Sequence, residues 1–374
     1  MTSAPIDVPN PKPSENADDE EMPRVVITRR RALAFGLFVL SAIAFLYYVL
    51  PKLTGLSETW QRLGSGDPIW LVVALLFECL SFAGYVILFR TVFVRGDREQ
   101  IGWRASYEIT MAGLAATRLF AAAGAGGIAL TAWALRRSGM ERRLVAIRLI
   151  AFTALLYAVY MAALVIFGFG LYFGILDGPG PFGVTVVPAI FALILWGVFL
   201  GVTLLPGDAE RRIEQWAQGS SRFARIMARV VSVPALGAEG VRTALRLASQ
   251  REWGVLGAVA WWGFDIATLW ACFHAYSPGN PPPAAVIVMA YFVGMLANTL
   301  PLPGGIGGVD GGMIGAFIAF DVSGGYATVA VLTYRAFAFW LPTVPGAVAY
   351  FQLRRTVAGW RNEGRATKAA VARA

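Results

Sequence analysis

Glu78, Arg118, Asp265, Asp310 and Arg335 are ionisable side chains set within otherwise apolar stretches of this sequence. Arg148 lies nearer the end of its stretch. A charge at the centre of a bilayer costs roughly 2.5–3.5 kcal/mol on insertion scales, so such a residue is kept where something offsets it. Two arrangements would do so. The charges pair between helices as structural ties, or they line a polar cavity for a charged headgroup or a coupling ion. Tyr334 precedes Arg335, and a hydroxyl beside a guanidinium suits a phosphate as well as ordinary interhelical packing.

The densest feature is Leu300-Pro301-Leu302-Pro303-Gly304-Gly305-Ile306-Gly307-Gly308-Val309-Asp310-Gly311-Gly312. No helix runs through two prolines and six glycines at normal cost. The backbone exposed there cannot face lipid, so it lines a cavity or packs on protein. Residues 313–320 read as a half-helix whose positive N-terminal end would point at the glycine loop and suit a phosphate. Close helix packing through Gly304, Gly305, Gly307 and Gly308 is the plain alternative. A second small-residue run, Gly124-Ala125-Gly126-Gly127-Ile128-Ala129, formally fits a dinucleotide fingerprint. No strand precedes it, so close backbone approach explains it better.

These residues need elements to hold them. The chain has 374 residues, 57% hydrophobic and 15% charged. Soluble domains carry about 25% charged residues, so too little polar sequence remains here to clothe a soluble surface. Six apolar runs are long enough to cross a bilayer: 32–50, 68–94, 144–175, 184–205, 253–276 and 326–351. The stretches 105–135 and 284–320 are apolar but broken by glycines. The expected fold is an all-α integral membrane protein of about 8 membrane segments, six full spans and two re-entrant or bent hairpins. Pro342 and Pro345 are expected to kink the last span.

Arginines set the orientation. They precede the first span (Arg29, Arg30, Arg31), follow the second and last spans, and fill 136–143 and 206–252. All these segments are expected to be cytoplasmic, with both termini inside and the chain multi-pass in the plasma membrane. The first broken stretch then enters from inside and returns, and the second does so from outside. The order span, span, hairpin, span occurs twice with opposite starting sides, which is an inverted repeat. Glu78 and Asp265 are 187 positions apart, as are Arg148 and Arg335, and the paired glycines 126–127 and 307–308 are 181 apart. The domain plan is a disordered cytoplasmic N-terminus (1–28) and a membrane domain (29–355), then a basic tail (356–374). The membrane domain divides into repeats over about 32–175 and 184–351. The basic loop 206–252 reads as an amphipathic helix on the inner surface, and 53–63 reads similarly on the outer one.

Other chemistries find little here. The formal charge of +9 follows arginines at span ends, which argues for an anionic leaflet and against nucleic acid. Two distant cysteines and a single histidine, His274, offer no metal or disulfide pattern. No cofactor is expected.

The Pro301-Leu302-Pro303-Gly304-Gly305-Ile306-Gly307 block, the acid at 310, Tyr334-Arg335 and Trp340-Leu341-Pro342 together resemble the flippase-like transmembrane domain of lysylphosphatidylglycerol synthases. The resemblance spans roughly 30–355. The acid is Asp310 where that family commonly has Glu, and the first hairpin has alanines where the family often has Pro and Glu. The resemblance implies a lipid-handling membrane module without the lysyl-transferring domain, and so no enzyme. Its partners would be membrane lipids, an anionic phospholipid or a glycolipid. In the alternative, the chain presents lipid carriers to a glycosyl- or aminoacyl-transferase. With no nucleotide-binding loop, energy would come from an ion gradient or from the lipid gradient itself. The topology is testable: a cysteine at Ser323 should react with impermeant reagents from outside, and labelling from the cytoplasmic side would overturn the orientation.

Overall fold

The computed structural model describes residues 64–94, 101–119, 125–204, 222–276, 281–299 and 307–371. The expected N-terminal segment, the first span at 32–50, the surface helix at 53–63, and Gly304 and Gly305 lie outside the described residues. All regular elements described are helical. In chain order they are α1 (Pro68–Phe93), α2 (Trp103–Leu119), α3 (Ala125–Arg137), α4 (Arg142–Tyr172), α5 (Phe182–Val202), α6 (Arg222–Ser249), α7 (Leu256–Tyr276), α8 (Ala284–Met295), α9 (Gly308–Ala319), α10 (Gly324–Arg335) and α11 (Thr343–Val371). Five stretches are long and apolar enough to cross a membrane: Pro68–Phe93, Arg142–Tyr172, Phe182–Gly201, Trp253–Tyr276 and Gly324–Trp360. They match five of the six expected spans.

The two glycine-broken stretches each fold into a pair of short helices, α2 with α3 and α8 with α9. A 12-residue helix such as α8 or α9 rises only about 18 Å, well short of the hydrocarbon thickness. Glycines let the arms of each pair close up. A Cβ on Gly127 would lie 2.4 Å from the Gly113 carbonyl oxygen, and one on Gly294 would lie 2.7 Å from the Met313 nitrogen. Gly113 and Gly294 are again 181 positions apart. The half-helix expected over 313–320 starts earlier, at Gly308. Gly307 has φ +80°, a left-handed turn open to glycine at little cost, so the chain turns there and helix follows at once.

At the centre α1 and α7 pack antiparallel. Asp67 starts α1, its side chain accepting from the Ile69 N–H at 2.9 Å and its own N–H donating to Ala275 O at 2.9 Å at the far end of α7. Gly84 and Gly257 set the spacing, since a Cβ on Gly257 would lie 2.4 Å from Gly84 O. Ser81 donates to Trp261 O at 2.9 Å across the same seam. The outer helices cross over. Helix α4 packs on the second hairpin, where Tyr160 donates to Phe292 O at 2.6 Å. Helix α11 packs on the first, where Thr356 donates to the buried Glu108 at 2.6 Å.

Where a kink is expected in the last span, the helix widens to π-helical geometry over Ala336–Trp340. Helix α10 ends at Arg335, a wide turn follows in which the Leu341 N–H donates to Ala336 O, and α11 begins at Thr343. The helix then continues to Val371, so the backbone of the expected tail is helical through that residue. The helix expected within 206–252 is α6, and it packs on α4 and α5 through Val241, Ala244 and Leu247. Arg143 and Glu239 join α4 to α6 at 2.6 and 3.2 Å.

The α1–α7 seam should tolerate no side chain at Gly257. Gly257→Leu is expected to lower unfolding stability by about 1–3 kcal/mol through overpacking. Gly263→Ala, where a Cβ meets nothing within 4 Å, should leave the melting temperature of the purified protein unchanged or slightly raised.

Candidate functional site

Glu78 sits near the middle of α1 and Asp265 near the middle of α7, and both are buried. The close α1–α7 packing makes their carboxyl groups direct neighbours. Asp265 is well supplied with donors. Tyr334 donates to its two oxygens at 3.0 and 3.1 Å, and Tyr291 makes a further short hydrogen bond to Oδ2. On Glu78 the buried Oε2 has no hydrogen-bond partner among the described residues. Tyr291 is absent from the sequence-based candidates. Its signal was the one hydroxyl in α8, whose other residues are all apolar or glycine.

Asp310 is the third residue of α9. Its Oδ2 accepts from the Gly307 N–H at 2.8 Å and its Oδ1 pairs with Arg335 Nε at 2.6 Å. Asp310 thus uses the helix N-terminus that was expected to suit a phosphate: the chain's own carboxylate sits there. Gly308 is the first residue of α9 and half-buried. Arg335 also lies 4.7 Å from the centre of the Phe339 ring, a cation–π contact.

Arg118 lies in the last turn of α2 and is held by the π-helical segment after α10. A proline has no N–H, so Pro342 cannot donate to the carbonyl four residues back, that of Ala338. Arg118 fills the vacancy, donating to Ala338 O at 2.8 Å and to Phe339 O at 3.4 Å. Thr343 also donates to Phe339 O, at 2.6 Å. The Arg118 guanidinium stands 5.7 Å from the Phe82 and Phe339 rings. Among the described residues no carboxylate lies within ion-pair distance of it. Glu78 and Asp265 act on it only at longer range. Arg118 therefore makes no close pair with Glu78 or Asp310, because Asp310 is taken by Arg335 and backbone carbonyls take the guanidinium.

A cleft of about 570 Å³ leads to this region. Glu78 and Phe82 of α1, Trp103 and Tyr107 of α2, and Leu341 and Pro342 line it. Trp103, Tyr107 and Leu341 are exposed, so among the described residues the cleft opens sideways on the bundle. A smaller cavity of about 290 Å³ between α4, α5 and α6 is lined by apolar and aromatic side chains, away from the charges. Arg148 stands apart from the cluster, donating to Phe93 O at 2.7 Å at the end of α1. His274 packs between Trp70 and Trp270, and the indole N–H of Trp262 donates to Leu156 O at 2.9 Å. These are packing roles.

Six of the expected site residues, Glu78, Arg118, Asp265, Asp310, Tyr334 and Arg335, therefore meet where α1, α2, α7, α9 and α10 converge. Among the described residues no group of three or more His, Cys, Asp and Glu could hold a metal ion. This is a polytopic helical membrane protein with charges gathered between two broken hairpins. The chain belongs to the family described as the lysylphosphatidylglycerol synthase TM region, which matches residues 32–346. It is similar to a UPF0104 membrane protein of Methanothermobacter thermautotrophicus, 25% identical over 328 residues that cover 84% of this chain and 94% of that relative. A second match to a UPF0104 membrane protein of the same organism is 30% identical over 150 residues, 38% of this chain and 41% of that relative.

Removing one member of a buried ion pair leaves the other charged and unpaired, at a cost of about 3–5 kcal/mol. Asp310→Ala is expected to destabilise by that order, and Asp310→Ala combined with Arg335→Met should recover much of it. Thermal unfolding of the purified variants checks this, and additive losses would mean that the two side chains are not coupled.

Proposed function

We propose that the chain moves an anionic phospholipid or glycolipid between leaflets of the plasma membrane, binding the headgroup at Arg118. The observation that carries this reading is a guanidinium held by backbone carbonyls, with no carboxylate in ion-pair distance among the described residues, 5.7 Å from the Phe82 ring that lines the cleft. Its positive charge is offset only at longer range, which leaves it a receptor for a phosphate. The apolar and aromatic wall of the cleft suits the glycerol and upper acyl chain. Membership of a family named for a lipid synthase's membrane region agrees with a lipid substrate.

The two hairpins are the moving parts of this reading. Glycine contacts close both, and each is packed by the last helix of the other half, as an inverted repeat would have it. Rocking one half against the other would turn the cleft from one leaflet towards the other. Arg335 and Asp310 brace the second hairpin, and Tyr334 and Tyr291 brace α7. In this reading the chain is no enzyme, takes no cofactor, and has both termini in the cytoplasm.

The test is movement of fluorescent phosphatidylglycerol, a glycolipid and phosphatidylcholine in proteoliposomes. Wild type should move the anionic or glycosylated lipid, and Arg118→Gln should slow it on the order of tenfold, equivalent to about 1.4 kcal/mol, with the melting temperature kept. If wild type moves none of these lipids, the translocation reading falls. Recovery of a lipid-modifying enzyme with the purified chain would then favour a role in presenting lipid to it.

A further inference from the structure

We infer that Glu78 holds a proton that is bound and released together with the anionic headgroup, so that the coupling ion is H⁺. This rests on the headgroup reading of Arg118. Asp310 is paired with Arg335 at 2.6 Å, which among the described residues of the cluster leaves one guanidinium, Arg118, acting at longer range on two neighbouring carboxyl groups, Glu78 and Asp265. The set is neutral when one of these two carries a proton. Asp265 accepts from both tyrosine hydroxyls and is the carboxylate. Glu78 is 3% exposed, its Oε2 is buried without a partner, and it lines the cleft. It is therefore the member that takes the proton.

The other groups around Glu78 do not alter this count. Helix α7 contributes Asp265 and Cys272, α2 contributes Arg118, α10 contributes Tyr334 and Arg335, α8 contributes Tyr291, and α1 itself contributes Tyr85. The thiol and the phenols are neutral at ordinary pH. A metal cation fits poorly, because tyrosines occupy the Asp265 oxygens and Arg118 adds positive charge nearby. Linkage gives the direction of coupling. A phosphate at Arg118 brings a negative charge towards Glu78, so each ligand strengthens binding of the other by the same factor. Proton and anionic lipid would then cross in the same direction.

The test uses the full chain in detergent, with short-chain phosphatidylglycerol as probe, and reads two signals. The first is the C=O stretching band of a protonated carboxyl group in infrared difference spectra. It should be present in wild type at neutral pH and absent in Glu78→Gln. It should also be absent in Asp265→Asn, where Glu78 becomes the sole counter-charge to Arg118. The second is probe affinity against pH. In wild type it should weaken by up to about tenfold per pH unit on the alkaline side, and Glu78→Gln should hold it at the acid-side value throughout. A wild-type band untouched by Glu78→Gln, or an unchanged pH dependence in that variant, overturns the inference. A Glu78-dependent band with no probe binding at any pH supports the proton on Glu78 and counts instead against the headgroup reading.

Discussion

A proline in a membrane helix strips one carbonyl of its donor, and in hydrocarbon there is no water to replace it. Pro342 does this to Ala338, and the replacement donor is Arg118, 220 residues earlier in the chain. That bond carries three consequences. It ties the first hairpin to the second half of the molecule. It holds a guanidinium at membrane depth without committing it to a carboxylate. It also places that guanidinium behind Phe82, on the wall of the cleft.

The rest of the charged set is arranged around the same need to satisfy polar groups away from water. Asp310 closes the start of α9 and in doing so holds Arg335. The tyrosines of α8 and α10 satisfy Asp265. These groups are fastened by partners from two or three helices each, which makes them poor candidates for exchange with a ligand. Arg118 and Glu78 differ: one lacks a close counter-ion among the described residues, and the other lacks a hydrogen-bond partner on a buried oxygen. Trp133 Nε1 is another buried polar atom without a hydrogen-bond partner among the described residues, but it stands apart from the charged set.

Glycine does the complementary work. At Gly84 and Gly257 it brings α1 and α7 close enough for Glu78 and Asp265 to be neighbours. At Gly113, Gly127 and Gly294 it closes the two hairpins, whose short helices could not otherwise bury enough of each other. The charged cluster is a product of these close approaches, because longer spacing would separate the two carboxyl groups and admit water or lipid.

Much of this was legible in the amino-acid sequence because membrane solvation is a one-dimensional constraint. Length and apolarity mark the spans, glycine and proline mark the breaks, and a charge inside a span has to be offset. Glu78, Arg118, Asp265, Asp310 and Arg335 stand out on that basis alone, Tyr334 as the neighbour of Arg335, and so does a kink at Pro342 and Pro345. Pairing is different, since it depends on which helix faces share a seam. Arg118 to the Ala338 carbonyl, Asp310 to Arg335, Tyr291 to Asp265, and Arg148 away at Phe93 are choices that no spacing in the chain encodes. They are decided by how α1, α2, α7, α9 and α10 converge, and a hydrogen bond reaches only about 3 Å. The sequence by itself determined which polar groups must be satisfied inside the membrane. Only the tertiary structure decided which partner satisfies each.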